Sequence, residues 1–217
     1  MAVTTSGARR RAPRLPAAVR REQILDAALR LVIDHGFAAI SMEGVARAVG
    51  VAKTVVYEAF ANTDELLRAL LHREDRLIIA EVAELVPAEP GDADPERILV
   101  DGMIGMLRAV RRRPDSWRLF LLPPDGTPPA LRRGVARRRQ ELLRQLRPLV
   151  EWAAVRRPAL ARLDPELAAR LILGLGEEAA RLTLERPRQF TPERVAEFLG
   201  SLLSLASASA SASGMVE

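Results

Sequence analysis

Few side chains in this sequence have the company that catalysis needs. There are two histidines, His35 and His72, far apart in sequence, and no cysteine. A histidine-based triad, a thiolate zinc site and a disulfide all need partners that are missing. Serine and threonine are scattered without a partnered base, and no phosphate-cradling glycine loop occurs. No metal and no cofactor is expected, and a helical enzyme is the disfavoured reading. The residue that stands out is Lys53, the only lysine, so arginine supplies all the others of the 33 basic residues. Its ammonium suits guanine O6 and N7, or a backbone phosphate. An ordinary exposed lysine at a helix start would look the same, so the surroundings decide.

Those surroundings are Ser41 to Phe60, SMEGVARAVGVAKTVVYEAF. Ser41 is a good N-cap, because its hydroxyl accepts from an orphan N–H of the first turn. Met42, Val45, Ala46 and Val49 then share one helical face. Gly50 ends the run as a left-handed residue. A second helix from about Ala52 to Ala59 presents Val55, Val56 and Phe60 inward. Ala46, Gly50 and Val56 have helix-turn-helix spacing: a small residue for close approach, a glycine to turn, a branched residue to lock the second helix. The second helix is then a DNA-reading element.

Composition fits a DNA partner. The net charge is +5 and unevenly placed. Arg9, Arg10, Arg11, Arg14, Arg20 and Arg21 all precede the first acid, and such an arm is drawn to phosphate. At 217 residues, 48% hydrophobic and 28% charged, the chain suits one large globular domain or two smaller ones. No apolar run reaches the roughly 18 residues of a membrane span, so no membrane partner is expected. The N-terminal arginines have no apolar stretch behind them, so no signal peptide is expected. Absence of cysteine suits a cytoplasmic location.

The elements that must position Lys53 are helical throughout. Ala17–His35 carries Ile24, Ala27, Ala28, Leu31 and Val32 as a stripe, with His35 suiting the dipole at its C-terminal end beside Gly36. Asn62 and Glu65 form a capping box for a helix running to about Val86. PAEPGDADP over 87–95 breaks the chain. Asp94-Pro95-Glu96, Asp164-Pro165-Glu166 and Thr191-Pro192-Glu193 each give a capping oxygen, a proline at N1 and a first-turn acid. They start helices of about 95–112, 165–185 and 192–207. A short helix near 115–121, a loop at 123–129 and a helix of about 130–155 containing Pro148 lie between.

Residues 20–73 closely resemble the N-terminal domain of the TetR (tetracycline-repressor-like) family of bacterial transcriptional regulators. The likeness is carried by REQILDAALRLVIDHGF, SMEGVARAVGVAKTVVYEAF and NTDELLRALL. It implies an all-α fold of about nine helices, with an N-terminal three-helix helix-turn-helix domain and a C-terminal helical ligand-binding and dimerisation domain. The expected organisation is a disordered basic arm at 1–16, the DNA-binding domain at 17–62, the helical domain at 63–208 with 63–86 as linking helix, and a flexible tail at 209–217. Matched position by position, Lys53, Thr54 and Val55 open the recognition helix. Tyr57 matches a tyrosine that packs on the DNA backbone, Ser41 a first-turn phosphate contact, and Thr63 a phosphate contact at the start of the fourth helix. Many members have histidine where Ala59 stands and lysine where Thr63 stands. Affinity should therefore lean on Lys53, Tyr57 and the arginines, Arg20 and Arg21 among them. Glu58 on the same helix either accepts from a cytosine amino group, or is solvated or paired with a nearby arginine.

The resemblance also implies partners: a double-stranded, palindromic DNA operator, a second copy of the chain, and a small apolar or amphipathic ligand that releases a repressor. Met103, Met106, Leu107, Trp117, Phe120 and Leu121 form a Met- and aromatic-rich cluster where the family keeps its pocket, though such clusters also fill cores. Glu177 and Glu178 either meet a cationic group or are solvated. Leu171, Leu175, Ala179 and Leu182 on one helix, with Phe198, Leu199 and Leu202 on the last, suit a four-helix dimer interface. The arginine run from Arg132 to Arg147 reads as a solvated face rather than a second DNA patch. A regulator controlled by a protein partner or by its own abundance is the alternative function.

Overall fold

The computed structural model describes residues 16–85, 87 and 90–213. Most of the expected arm, Val86 and residues 214–217 of the expected tail lie outside the described residues. The described residues form nine α-helices and two 3-10 turns, with no strand. None of these helices is long and apolar enough to cross a membrane.

The head is built from α1 (Ala17–His35), α2 (Met42–Val49), α3 (Lys53–Ala59) and the first half of α4 (Thr63–Ala83). Ile24, Ala28 and Val32 of α1 are fully buried, as the stripe requires, and Leu31 is half-buried. Leu25 and Leu29 are buried too. They widen the apolar face of α1, and α1 packs on α6 (Pro114–Leu121) as well as on α2 and α4. Leu119 of α6 and Leu131 of α7 (Pro129–Arg156) accordingly join the head's core. Helix α4 divides its buried face between two cores, Leu66 and Leu70 in the head and Ile78 in the body.

Helix starts follow the local chemistry. Asn62 Oδ1 accepts from Glu65 N at 2.9 Å, and the Glu65 carboxylate returns to Ala61 N at 2.8 Å. The capping box is thus closed one residue before the cap. Asp94 caps α5 (Pro95–Arg112), Asp164 caps α8 (Pro165–Glu185) through Glu166 N and Leu167 N, and Thr191 Oγ1 accepts from Arg194 N at 3.3 Å in α9 (Pro192–Ser213). Helix α9 runs to Ser213 rather than ending near 207, because alternating Ala and Ser supply no breaker before Gly214. Pro148 lies inside α7, which continues through it.

The body has α5 at its centre, packed on α8 and α9, with α7 against α8. Its core is Ile78, Met103, Leu107, Val110, Trp117, Ala180, Leu184 and their neighbours. Head and body meet at two polar points. Arg73 of α4 reaches Glu22 at 3.0 Å and Asp26 at 2.8 Å on α1. The loop after α6 touches the turn after α1, where Phe37 N donates to Asp125 O at 3.1 Å.

Candidate nucleic-acid interface

The turn between α2 and α3 sets the angle of the reading helix. Gly50 sits at φ 74°, ψ 36°, the left-handed conformation. Its N–H donates to Arg47 O at 3.2 Å, and Val51 N donates to Ala46 O at 3.0 Å. This is the Schellman pairing, which satisfies carbonyls the helix end leaves open. Val51 then packs on the head core, and Val56 and Phe60 lock α3 from beneath at 0% and 1% exposure. Val55, expected to face inward, is only half-buried, at the edge of the reading face.

With that face anchored, Lys53, Thr54, Tyr57 and Glu58 are turned outward. Tyr57 keeps 45% of its surface exposed. The Lys53 ammonium lies 5.5 Å from the Tyr57 ring centroid and donates to Glu43 Oε1 of α2. This hydrogen bond and the charge behind it hold the Glu43 carboxyl below its ordinary range, and the same bond lifts Lys53 above its own. Ser41 Oγ accepts from Gly44 N at 3.0 Å, which leaves its O–H free to donate to a phosphate. Thr63 begins α4 and is half-buried. The charged side chains from 41 to 60 are Glu43 and Glu58 against Arg47 and Lys53, so the motif carries no net charge.

Two of the expected contacts are held differently. Arg21 donates to Ala59 O at 2.7 Å and lies 4.0 Å over the Phe60 ring. It ties the C-terminal end of α3 to α1 through one donor and one face of the guanidinium, a role that its reading as a DNA contact did not include. Arg20 donates to Gln23 at 2.9 Å along α1. Sequence spacing gave no sign of the Arg21 clamp, because its partner lies on another helix.

Further from the reading face, Met103, Leu107 and Trp117 are buried, while Met106, Phe120 and Leu121 pack against them. Met106 lies against α8 at Gly176, where an added Cβ would stand 3.3 Å from its Cε. The six ligand candidates are therefore brought together, as a packed core. A cleft of about 1060 Å³ lies elsewhere, between α1 and α4, with Arg113, just before α6, and Ser116 of α6 on its wall. Glu177 pairs with Arg139 at 3.3 Å and Glu178 with Arg181 at 3.2 Å, so both acids have arginine partners. Arg138 bonds Asp75 across to α4, and its burial lowers its pKa from the usual arginine range. Arg144 and Arg147 pair with Glu141 and Glu151 along α7. Of the dimer candidates, Leu171, Leu175, Phe198 and Leu202 are exposed and Leu182 is half-buried. Ala179 and Leu199 are buried in the body core instead, on the faces of α8 and α9 turned inward.

A short helix fixed under a glycine turn, presenting a lysine, a threonine and a tyrosine outward, defines a helix-turn-helix DNA-binding protein. Comparison with known proteins makes this specific. Residues 24–70 match the family described as bacterial regulatory proteins, tetR family. The fold is similar to a TetR-like transcriptional regulator from Rhodococcus sp. RHA1, at 28% identity and TM-score 0.71, over 90% of this chain and 99% of that one. It is also similar to AibR in complex with isovaleryl coenzyme A and operator DNA, at 22% identity and TM-score 0.64, over 84% and 97% of the two chains. A third similar structure is the regulator FadR from Bacillus subtilis in complex with stearoyl-CoA, at 18% identity and TM-score 0.63, over 84% and 96%. Over residues 24–70 the chain carries a DNA-binding domain of the tetR-family type, on a fold shared with a TetR-like transcriptional regulator, and it is a DNA-binding transcriptional regulator.

Proposed function

We propose that the protein is a repressor that binds a palindromic operator as a homodimer and leaves it when a small molecule occupies the body. The observation that carries the reading is the reading face itself, with Lys53, Thr54 and Tyr57 outward on a helix whose underside is locked by Val56 and Phe60. Ser41 and Thr63 flank it as phosphate contacts. In a two-fold dimer, two such helices enter successive major grooves about 34–36 Å apart. The dimer is supported by the exposed leucines of α8 and the exposed Phe198 and Leu202 of α9, since monomers rarely leave such stripes in water.

Release follows if the ligand prefers a body conformation whose heads no longer fit the operator spacing; a ligand indifferent to the two states releases nothing. The Met103–Leu121 core is the proposed place for it, since methionine side chains repack readily around an apolar guest. Two similar proteins were solved with acyl-CoA thioesters, so these head the candidates. The test is selection of bound fragments from genomic DNA by the purified protein, repeated with acyl-CoA thioesters of graded chain length. A palindromic site bound tightly and released by one chain-length class supports the reading. A site that no ligand releases would leave a regulator controlled by its abundance or by a protein partner.

A further inference from the structure

The reading head presents an acid where a DNA-binding surface has most reason to avoid one. Glu43 lies in the first turn of α2, exposed, and its carboxylate takes a hydrogen bond from Lys53, the only lysine of the chain. The two stand beside a hollow of about 350 Å³ between α2 and α3, lined also by Ala46, Arg47 and Val51. Both side chains keep about half or more of their surface in solvent, at 48% for Lys53 and 63% for Glu43. The pair is thus poor as a stabilising device, since exposed ion pairs contribute little.

Its consequence for recognition is larger. A lysine ammonium has three donors and no acceptor. With one donor on Glu43, two remain, which is the number that guanine O6 and N7 accept. Those acceptors carry no net charge, so a guanine edge meets Lys53 without disturbing Glu43. A phosphate is an anion. Brought to the same ammonium, it would sit close to the Glu43 carboxylate, and the two like charges would repel. The pair therefore tolerates a base edge and resists a phosphate.

We propose that Glu43 is a positioning residue for specificity, holding Lys53 in an ion pair that favours a guanine edge in the major groove over the phosphates of any sequence. This rests on the DNA-binding reading above and goes beyond it, because it assigns discrimination to a residue on α2 rather than on the recognition helix. It also accounts for a helix-turn-helix that carries no net charge: the motif gives up sequence-independent attraction, which comes from phosphate neutralisation.

The test compares wild type with Glu43→Gln on two duplexes of about 30 base pairs, one holding the selected operator and one of scrambled sequence, across a salt series. Both residues are exposed, so the variant folds. Glu43→Gln should tighten binding to the scrambled duplex by about threefold to tenfold, with a salt slope steeper by about one, and leave operator affinity within about twofold. Glu43→Asp, which keeps the charge, should restore most of the discrimination. In a Lys53→Gln background the effect of Glu43→Gln on scrambled DNA should fall below about twofold, because the residue acts through Lys53. Equal tightening on both duplexes, or an undiminished effect without Lys53, would overturn the proposal as a general loss of one negative charge. Wild-type protein that binds neither duplex would instead remove the DNA-binding reading on which the proposal rests.

Discussion

The Arg73 guanidinium lies 2.8 Å from the Asp26 carboxylate, and this contact ties the linking helix α4 to the first helix of the reading head. The same guanidinium reaches Glu22 at 3.0 Å and its neighbour Glu74 at 2.6 Å. Glu74 is 1% exposed, at the position on α4 between Leu70 and Ile78 where an apolar residue would be expected, and one of its oxygens has no partner. Burial works against the Arg73 charge, but the three carboxylates outweigh it and raise its pKa above the ordinary arginine value. Arg73 therefore adds a charged tie between α4 and α1 to their apolar packing.

Arg73→Ala should cost about 3–5 kcal/mol in urea denaturation, because it strands a buried carboxylate. The double variant Arg73→Met with Glu74→Leu should recover most of that loss, since apolar groups of similar size can replace a buried pair. A cost under about 1 kcal/mol for the single change would mean that Glu74 is solvated and the tie is weak.

Two glycines at helix ends should respond differently to alanine. Gly50 is left-handed with open space around it, so Gly50→Ala should cost about 1–2 kcal/mol. Gly36 sits at φ 79°, ψ 169°, a region essentially closed to other residues, and an added Cβ would stand 3.0 Å from Asp125 O. Gly36→Ala should cost more than Gly50→Ala. It should also loosen the loop after α6 from the head, read as faster amide exchange at Phe37, whose N–H donates to that carbonyl.

What was legible in the sequence was local. The Ser41 cap, the Gly50 turn, the Asn62–Glu65 box and the three proline-led helix starts each depend on neighbours a few residues away, and each was readable from residue type and spacing. Val56 and Phe60 were legible as the inward side of α3, but Val55, read with them, is only half-buried. Contacts across the chain were not legible. Leu25 and Leu29 flank the α1 stripe at helical spacing, but spacing does not say that α6 packs on α1 as well. Arg21 read as one more basic residue beside the motif, whereas Phe60 and the Ala59 carbonyl claim it from the next helix but one. Ala179 and Leu199 share helical stripes with residues that stay exposed, and α5 decides which side of each helix is covered.

The exposed stripes predict a quaternary change. Leu171→Asp with Phe198→Asp should convert the protein from dimer to monomer in light scattering, with helix content kept, because both side chains are more than half exposed within one chain. Operator affinity should fall with it, since one head alone grips a half-site. A variant that stays dimeric would place the interface on another face.

Lys53→Ala tests the account most directly, by fluorescence anisotropy on the operator duplex and on a scrambled one at the same salt. Loss of a lysine that reads a guanine edge should weaken operator binding by about 10-fold to 100-fold and change binding to scrambled DNA little. Unchanged operator affinity would contradict the assignment of α3 as the reading helix with Lys53 as its base-reading residue.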